Sequence, residues 1–487
     1  MTNLSGANLN NVAAVGPQGE GMDSPSNFST YPAYKDSGVE WLGEVPEHWA
    51  IFSLKRSVDG CTNGLWGDEP DGENDLAVIR VADFDRATCR VGLDKLTYRS
   101  ITQKERASRL LQPGDLLIEK SGGGEKTLVG CVVLFEHEFE AITSNFVARM
   151  RPLASFDSGF LCYAFDSLYQ GKVNFPAIKQ TTGIQNLDSE SYLQEQFCFP
   201  TLVEQTQIAR FLDHETARID ALIKEQQRLI ELLKEKRQAV ISHAVTKGLD
   251  PTVLMKDSGV EWLGEVPAHW NAIHVGRVCR KVSDGPHFSP NYVDEGVMFL
   301  SARNIAVDAW HLEDAKFVSE EDYREFCRRV VPEKGDILYT KGGTTGIARV
   351  VDLDEKFQVW VHVAVLKLDR ELVDPYYMAF SLNSAGCYEQ SQLHTRGATN
   401  QDLGLTRMTK IWFALPPREE QTRICDFLNA ELGNIDDLIA EATKVVALLS
   451  ERRSALISAA VTGKIDLRGW QPPVSIQEPE PAVAEAN

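Results

Sequence analysis

The sequence predicts an α+β chain in which two globular domains are joined by two long helices. Three observations support this prediction: an internal duplication, two heptad-like patterns, and short strand-like runs between them. Residues 35–49 (KDSGVEWLGEVPEHW) recur at 256–270 (KDSGVEWLGEVPAHW), with fourteen of fifteen positions identical at an offset of 221. Units of this size indicate a duplicated domain, because the repeats of a solenoid run about 20–50 residues.

The duplication extends through both halves of the chain. EQTQIARFLDHETARIDALI at 204–223 is echoed at 420–439, and EKRQAVISHAVTKGLD at 235–250 is echoed at 451–466, both at an offset of 216. Between these segments the similarity thins to a framework, so each half consists of a strap, a globular segment and a long helix. The termini are rich in Asn, Gly and Ser or in Pro and Glu, which is typical of disorder. The predicted regions are a disordered arm (1–33), a globular domain with its strap (34–202), a central helix (203–250), a second domain with its strap (251–416), a distal helix (417–467) and a disordered acidic tail (468–487).

Apolar residues alternate at spacings of three and four along both predicted helices, which is typical of a coiled-coil seam. For a chain with two copies, the simplest arrangement is an antiparallel coiled coil about a pseudo-twofold axis. The alternative is that each helix packs only on its own globular domain. The predicted seam comprises Ile219, Leu222, Gln226, Leu229, Leu233, Lys236, Val240 and His243, then Ile435, Leu438, Ala442, Val445, Leu449, Arg452, Leu456 and Ala459.

The globular segments are predicted to be mixed in secondary structure. Short apolar runs at 76–81, 115–118, 130–135 and 336–339 alternate with turn residues and short helical patterns, as strands do. This pattern completes the α+β prediction.

Composition limits the functional classes. The net charge is −20, whereas a free-standing DNA-binding protein is usually basic because contacts to phosphates supply much of its affinity. Any DNA contact must therefore come from local basic clusters or from a partner. The nine cysteines include no CxxC pair, and no apolar run approaches the ~18 residues that span a membrane. We expect a cytoplasmic protein with reduced thiols and no membrane contact.

The sequence contains no P-loop, no GxSxG and no HExxH. Asp374–Tyr377 (DPYY) resembles the base-gripping loop of adenine methyltransferases, but no glycine-rich cofactor loop precedes it, and a helix start is the simpler interpretation. Asp115 and Glu119 suggest a nuclease carboxylate cluster, but Thr340 replaces Glu119 in the second copy, and a two-metal site needs its carboxylates. The sequence therefore predicts a non-enzyme with no catalytic residue, bound cofactor or metal.

Two glycine-rich loops occupy the same place in each half, directly after a predicted strand. Glycines permit close approach of the backbone, while Lys, Ser and Thr donate to phosphates, and Arg, Asn and Gln read base edges. The alternatives are a plain hairpin turn for each loop and a solvated surface for each polar cluster. The candidate DNA-binding residues are Lys120, Ser121, Gly122, Lys126, Lys179, Thr181, Thr182, Gln185, Asn186, Arg277, Arg280, Lys281, Arg303, Asn304, Lys341, Thr344, Thr345, Arg396 and Asn400.

This layout resembles the specificity (S) subunits of type I restriction–modification systems. The resemblance is carried by the doubled KDSGVEWLGEVPxHW strap, by the GDLLIEKSGGG and GDILYTKGGTTG loops, and by the paired openings of the long helices, Pro200…Glu204-Gln205 and Pro417…Glu420-Gln421. It spans residues 34 to 467, in the same order in both halves. The combination is specific, although any single element would be weak.

The resemblance implies two target-recognition domains, each reading one half of a bipartite DNA sequence, with the helices setting the spacer. It implies double-stranded DNA, two methyltransferase (M) subunits and two restriction (R) subunits as partners. Catalysis, S-adenosylmethionine, ATP and Mg²⁺ would belong to those partners. Surfaces that meet two identical M subunits must stay alike, which would explain the faithful straps. The expected docking residues are Trp41, Glu44, Trp49, Trp262, Glu265, Trp270, Gln205 and Gln421, with buried packing as the alternative for the apolar ones.

Two other functions remain open from the residues alone. One is a duplicated, coiled-coil-linked DNA-binding or scaffold protein that acts without methyltransferase partners. The other is a nuclease or methylase with an unrecognised site. Adjacent methyltransferase and helicase-nuclease genes would favour the specificity subunit, whereas activity of the purified chain alone would favour an enzyme.

Overall fold

The computed structural model describes residues 28–123, 127–181, 183–397 and 402–472. The chain divides into two compact units. Unit 1 comprises Met1–Glu225 and Val445–Asn487, and unit 2 comprises Gln226–Lys444. Each unit therefore contains one globular segment and a part of each long helix.

Unit 1 consists of short strands and short helices together with parts of both long helices. Its strands are β1 (Tyr34–Asp36), β2 (Glu44–Pro46), β3 (Ala50–Ser53), β4 (Thr62–Asn63), β5 (Asp75–Ile79), β6 (Phe84–Asp85), β7 (Arg90–Val91), β8 (Thr97–Ser100), β9 (Asp115–Glu119), β10 (Ser121–Gly122), β11 (Val132–Phe135), β12 (Ala141–Thr143), β13 (Val147–Met150), β14 (Ile178–Thr181), β15 (Ile184–Leu187) and β16 (Gln196–Phe199). Its short helices are α1 (Gln103–Arg106), α2 (Ser158–Gln170) and α3 (Ser189–Tyr192), and α4 (Leu202–Lys247) begins in this unit.

Unit 2 has the same kind of architecture. Its strands are β17 (Met255–Asp257), β18 (Glu265–Pro267), β19 (Asn271–His274), β20 (Cys279–Asp284), β21 (Tyr292–Val293), β22 (Val297–Leu300), β23 (Lys316–Val318), β24 (Ile337–Thr340), β25 (Ala348–Val350), β26 (Phe357–Val359), β27 (Val363–Leu368) and β28 (Trp412–Leu415). Its helices are α5 (Glu320–Cys327), α6 (Pro375–Leu382), α7 (Ala385–His394) and α8 (Leu405–Met408), followed by the start of α9 (Arg418–Val461).

The two globular segments share the register of their central sheets. In unit 1 the order is β4-β13-β9-β11-β7-β6, and in unit 2 it is β20-β27-β24-β25. Ala148 pairs with Asn63, and in unit 2 Ala364 pairs with Asp284. These two pairs correspond at offsets of 216 and 221, the same offsets that relate the repeated sequences. Positions in the two units can therefore be equated one by one.

The strap is fixed to the start of each long helix by the same carboxylate contacts. The Trp49 indole donates to Glu204 over 3.1 Å, and the His48 ring lies 3.0 Å from the same carboxylate. In unit 2, Trp270 donates to Glu420 over 3.0 Å, and His269 lies 2.9 Å from it. Both tryptophans are fully buried. The His-Trp of the strap and the Glu of the helix opening therefore recur together because they form one junction.

Both sequence look-alikes have structural explanations, one as a helix cap and the other as ion pairs. Asp374 accepts hydrogen bonds from the backbone of Tyr376 and Tyr377 as the N-cap of α6, so the prediction of a helix start is confirmed. Asp115 accepts from the Arg151 guanidinium over 2.7 Å, and Glu119 forms an ion pair with Arg86 at 2.6 Å. Both carboxylates therefore have partners within the fold.

The buried stripe of α4 differs from the predicted seam at every second position. The predicted positions Ile219 and Leu233 are buried, as expected. The residues predicted between and beyond them (Leu222, Leu229, Lys236 and His243) are exposed, and their C-terminal neighbours are half-buried or buried. The stripe therefore runs with spacings of four then three from Ile219, and a basic residue, Arg237, occupies one of its inner positions.

In α9 the predicted seam is partly confirmed. The inner positions Ile435, Ala442, Leu449 and Leu456 are buried, whereas Leu438 is 56% exposed. The other predicted positions are half-buried.

Ordered packing extends beyond the predicted globular boundaries at both ends of unit 1. Tyr31, assigned from the sequence to a disordered arm, is buried and donates to Glu204 over 2.6 Å. Trp470, assigned to the tail, packs edge-on against Phe211 with ring centroids 5.3 Å apart. Residues 1–27 and 473–487 lie outside the described residues. No helix in the described part of the chain is long and apolar enough to cross a membrane.

Candidate nucleic-acid interface

In unit 1 the structure brings two predicted clusters together. Strand β10, which belongs to the glycine-rich loop, pairs with β15, so that Ser121 lies opposite Asn186. The Ser121 hydroxyl donates to the Asn186 side-chain oxygen over 2.6 Å. Lys120, at the end of β9, donates to the Asn63 side-chain oxygen over 2.8 Å. A lysine, a hydroxyl and two amides therefore share one edge of unit 1.

Within the described part of the chain, no carboxylate lies within ion-pair distance of the Lys120 ammonium, which donates to the neutral Asn63 amide. Lys179, on the neighbouring β14, is exposed but forms an ion pair with Asp188 at 2.8 Å. Of the two described lysines at this edge, Lys120 can bind a phosphate without first breaking an ion pair, whereas Lys179 cannot.

Gln185 is not placed as the sequence predicted. Its side chain is buried, and its oxygen accepts from the Val129 backbone over 3.2 Å. Its amide oxygen binds the backbone inside the fold, so this side chain supports the loop and does not present its amide to a base edge. Lys126, Thr182 and Asn400 lie outside the described residues, and the side chain of Thr181 is likewise not described.

The equivalent loop in unit 2 has the opposite electrostatic setting. The Lys341 side chain is only 6% exposed, and its ammonium lies 3.4 Å from Asp284 and 3.1 Å from Asp402. The prediction that Lys341 contacts DNA is therefore wrong for this structure, because the ammonium is buried between two carboxylates. Asp284 and Asp402 occupy the positions of Asn63 and Asn186, at offsets of 221 and 216.

The charges around Asp284 affect its protonation. Burial raises the pKa of this carboxyl. The Arg329 guanidinium and the Lys341 ammonium together lower it by more than burial raises it, so the net shift is downward. The pKa of His362 is also lowered, by burial and by the nearby Lys341. The loop of unit 2 thus rests on an ionised internal cluster that the sequence analysis did not single out.

Two further candidates in unit 2 have internal roles. Asn304 is buried; its oxygen accepts from the Ser301 backbone over 2.8 Å, and its amide donates to the His311 carbonyl over 2.8 Å. Thr345 is buried against Gln392, whose amide donates to it over 3.2 Å. Both side chains are therefore unavailable for base readout, contrary to the prediction.

The remaining candidates of unit 2 lie on the surface. Arg303, Thr344, Arg396 and Arg277 are exposed. Arg280 is exposed and forms an ion pair with Asp369 at 2.9 Å. Lys281 donates to the Arg329 carbonyl over 2.8 Å, so its charge lies at the edge of the Asp284 cluster.

The structure also shows a feature that the sequence analysis missed. An apolar groove of about 370 Å³ lies beside the glycine-rich loop of unit 1 and is lined by Trp66, Phe146 and Ile184 among others. These residues come from three separate segments, so no local motif marks them. The repeat offsets could have indicated the site, because they equate Trp66 with His287 and Phe146 with His362 in unit 2. Large aromatic residues thus replace histidines at two equivalent positions.

The expected docking residues divide into exposed and buried groups. Trp41 and Glu44, and their counterparts Trp262 and Glu265, are exposed or half-buried. Trp49 and Trp270 are fully buried, and so are Gln205 and Gln421, which donate to the carbonyls of Pro200 and Pro416. The docking prediction is wrong for these four, because their side chains fasten the strap and the preceding loop to the helix.

This chain is similar to known proteins in both sequence and fold. The family model of the type I restriction modification DNA specificity domain matches residues 310–446. A chain from a structural study of complex assembly and conformational transition of the type I R-M system has a TM-score of 0.65 and 15% identity. That match covers 86% of this chain and 98% of the other, and it shows that the two share a fold.

Two relatives are similar along most of their length. The MjaX specificity subunit of Methanocaldococcus jannaschii is 24% identical over 440 residues, which cover 88% of this chain and 96% of the relative. The type I restriction enzyme EcoKI specificity subunit of Escherichia coli K12 is 23% identical over 371 residues, which cover 74% and 76%.

The matched family model is that of a DNA specificity domain, and both relatives are type I specificity subunits, so this chain is similar to such subunits. The resemblance predicted from the sequence is confirmed.

Proposed function

We propose that this chain recognises DNA for a type I restriction–modification complex, with each globular segment reading one half of a bipartite target. The observation that carries the proposal is a difference in how faithfully the two units repeat. The strap junction is the same in both, whereas the loop that follows the central strand is bordered by Asn63 and Asn186 in unit 1 and by Asp284 and Asp402 in unit 2. Two different half-sites require divergence of the globular segments beside a conserved junction, and the loop borders show such a divergence.

The long helices set the distance between the half-sites in this proposal, as an antiparallel coiled coil. Two equivalent ion pairs between α4 and α9 support the arrangement, with the arginine on α9 in one and on α4 in the other. In unit 1, Arg453 of α9 contacts Asp220 of α4 at 3.0 Å, and in unit 2, Arg237 of α4 contacts Asp436 of α9 at 2.9 Å. The two arginines are equivalent at an offset of 216, and so are the two aspartates. Each unit therefore contains an equivalent contact between the two long helices.

The partners supply the chemistry. Two M subunits and two R subunits dock on the chain and use S-adenosylmethionine, ATP and Mg²⁺, while the chain itself is non-catalytic and works in the cytoplasm. Exposed strap residues such as Trp41 and Glu44, repeated as Trp262 and Glu265, fit a surface that meets two identical subunits. The net charge of −20 also favours partners that contribute positive charge around the DNA.

Methylation mapping of the host genome tests this proposal. We expect one bipartite methylated motif, which disappears when the gene for this chain is deleted and returns when the gene is restored. Methylation that is unchanged by the deletion would contradict the proposal. Methylation by the purified chain alone would contradict the non-catalytic assignment.

A further inference from the structure

The apolar groove of unit 1 exposes an unusual set of side chains at the candidate DNA-contacting edge. Trp66, Phe146 and Ile184 are 38%, 45% and 50% exposed and line it together with Val81, Gly122 and Gly123. Single exposed apolar residues are normal on a protein surface. Three large ones that share one groove are typical of an interaction site.

The groove is held in shape by the backbone around it. Gly64 lies so close to β12 that a Cβ at this position would be 2.0 Å from the Thr143 carbonyl oxygen, so only glycine lets the following loop reach Trp66. The Arg99 guanidinium lies 4.6 Å from the Trp66 ring centroid and covers part of the indole. The groove is therefore largely formed before any ligand binds, which lowers the entropic cost of binding.

The groove is continuous with the edge that carries Lys120. The Phe146 carbonyl accepts a hydrogen bond from the Lys120 backbone over 2.8 Å. This bond holds Phe146, which lines the groove, next to Lys120, the proposed phosphate contact. Ile184 lies on β15, whose neighbouring residue Gln185 pairs with Gly122. The Lys120 ammonium, which has no carboxylate partner among the described residues, favours a polyanion as the occupant of this edge.

The same position in unit 2 is polar. Trp66 corresponds to His287 and Phe146 to His362, at the offsets fixed by the sheet register. His287 lies 3.3 Å from the buried Asp284. The apolar groove therefore belongs to unit 1 alone and is not part of the framework that the two units share. A contact made by this groove would affect only the half-site that unit 1 reads.

We propose that this groove receives the C5 methyl group of a thymine in the half-site read by unit 1, an inference that rests on the proposed function. Thymine is the base that presents a methyl group in the major groove, and apolar side chains recognise it by contact. Lys120 and the Ser121–Asn186 pair beside the groove supply the polar contacts that hold the backbone and neighbouring base edges.

Deoxyuridine tests the inference because it lacks only this methyl group. The complex of the full-length chain with its M subunits is titrated with duplexes in which each thymine of the motif is replaced in turn. One replacement, in one half-site, should weaken binding about four-fold, the factor that corresponds to burial of one methyl-sized group. The Phe146→Ala/Ile184→Ala double variant should bind the thymine and deoxyuridine duplexes equally well. His362→Ala, at the position equivalent to Phe146, is the matched control and should keep the four-fold ratio.

The outcomes separate the two proposals. Specific binding in which no deoxyuridine replacement matters, or in which the double variant keeps the four-fold ratio, overturns the thymine assignment and leaves the proposed function standing. A wild-type complex that binds its motif no better than unrelated DNA overturns the proposed function itself. Both substituted side chains are about half exposed, so the double variant should fold, and its circular dichroism verifies this.

Discussion

The two glycine-rich loops start from equivalent lysines, yet only one of these lysines is available to a ligand. Lys120 donates to the neutral Asn63, whereas Lys341 lies between Asp284 and Asp402. Two Asn-to-Asp differences at equivalent positions thus convert a surface cation into an internal one. The comparison teaches that a duplicated framework preserves backbone position but not electrostatic role, and that the role is decided by neighbours distant in sequence.

The junction between strap and helix is where the two units should behave alike. Trp49→Ala and Trp270→Ala each remove a fully buried indole and leave a carboxylate without one donor. We expect each to lower the free energy of unfolding of its own unit by about 3–5 kcal/mol. Hydrogen exchange resolved by unit measures both losses, and a loss in only one unit would break the equivalence of the junctions.

The lysines should behave differently in stability. Lys341→Met removes a buried cation from two carboxylates, and we expect a loss of about 3 kcal/mol in unit 2. Lys120→Met removes a partly exposed cation bonded to an amide and should change unit 1 by no more than about 0.5 kcal/mol. Denaturant unfolding followed by hydrogen exchange compares the two. Equal losses would show that the environments do not differ as the structure indicates.

The acid dependence of unit 2 follows from Asp284. Its pKa is lowered in the folded state, so its contribution to stability is present above the unfolded value of about 3.9 and is lost as the pH falls through the folded value. We expect the unfolding free energy of unit 2 to fall on acidification below about pH 4, and Asp284→Asn to make that fall shallower. Asn63→Ala, at the equivalent neutral position in unit 1, is the control and should leave the pH dependence unchanged. An Asp284→Asn variant with the wild-type acid profile would contradict the downward shift.

Salt dependence should show the smallest difference. Lys120→Ala should weaken DNA binding of the assembled complex and reduce its salt slope by about one unit, as loss of one phosphate contact does. Asn63→Asp places a carboxylate where unit 2 has Asp284, and it should reduce the slope similarly by neutralising Lys120 in place. Affinities at several salt concentrations provide the measurement. An unchanged slope in both variants would reduce the loop to a structural turn.

Part of this picture could be predicted from the sequence. Repetition at offsets of 221 and 216 gave the two copies, the strap and both helix openings, because these features depend on residues that are themselves repeated. Every second seam position of α4 was predicted correctly. The positions between them were not, because 222–223 and 229–230 are each two adjacent apolar residues and apolarity alone cannot choose between neighbours. At 236–237 both residues are basic, and the inner one is Arg237, which meets Asp436.

The candidate site was less predictable for a physical reason. The burial of Lys341 depends on Asp284 and Asp402, which are distant from it in the chain and reach it only through β20 and an isolated bridge to Gly342. Gln185 and Asn304 have the composition of base-reading residues, but the fold uses their amides to satisfy buried backbone groups. Residue type indicates which contacts are feasible, and only the tertiary fold decides which are made.

A domain exchange tests the central claim that each unit reads its own half-site. Residues 271–415 are replaced by the equivalent segment of a related chain, and the methylated motif is sequenced in a host that contains the partner subunits. We expect one half of the motif to change while the other half and the spacing between them stay the same. Simultaneous change of both halves would contradict the account.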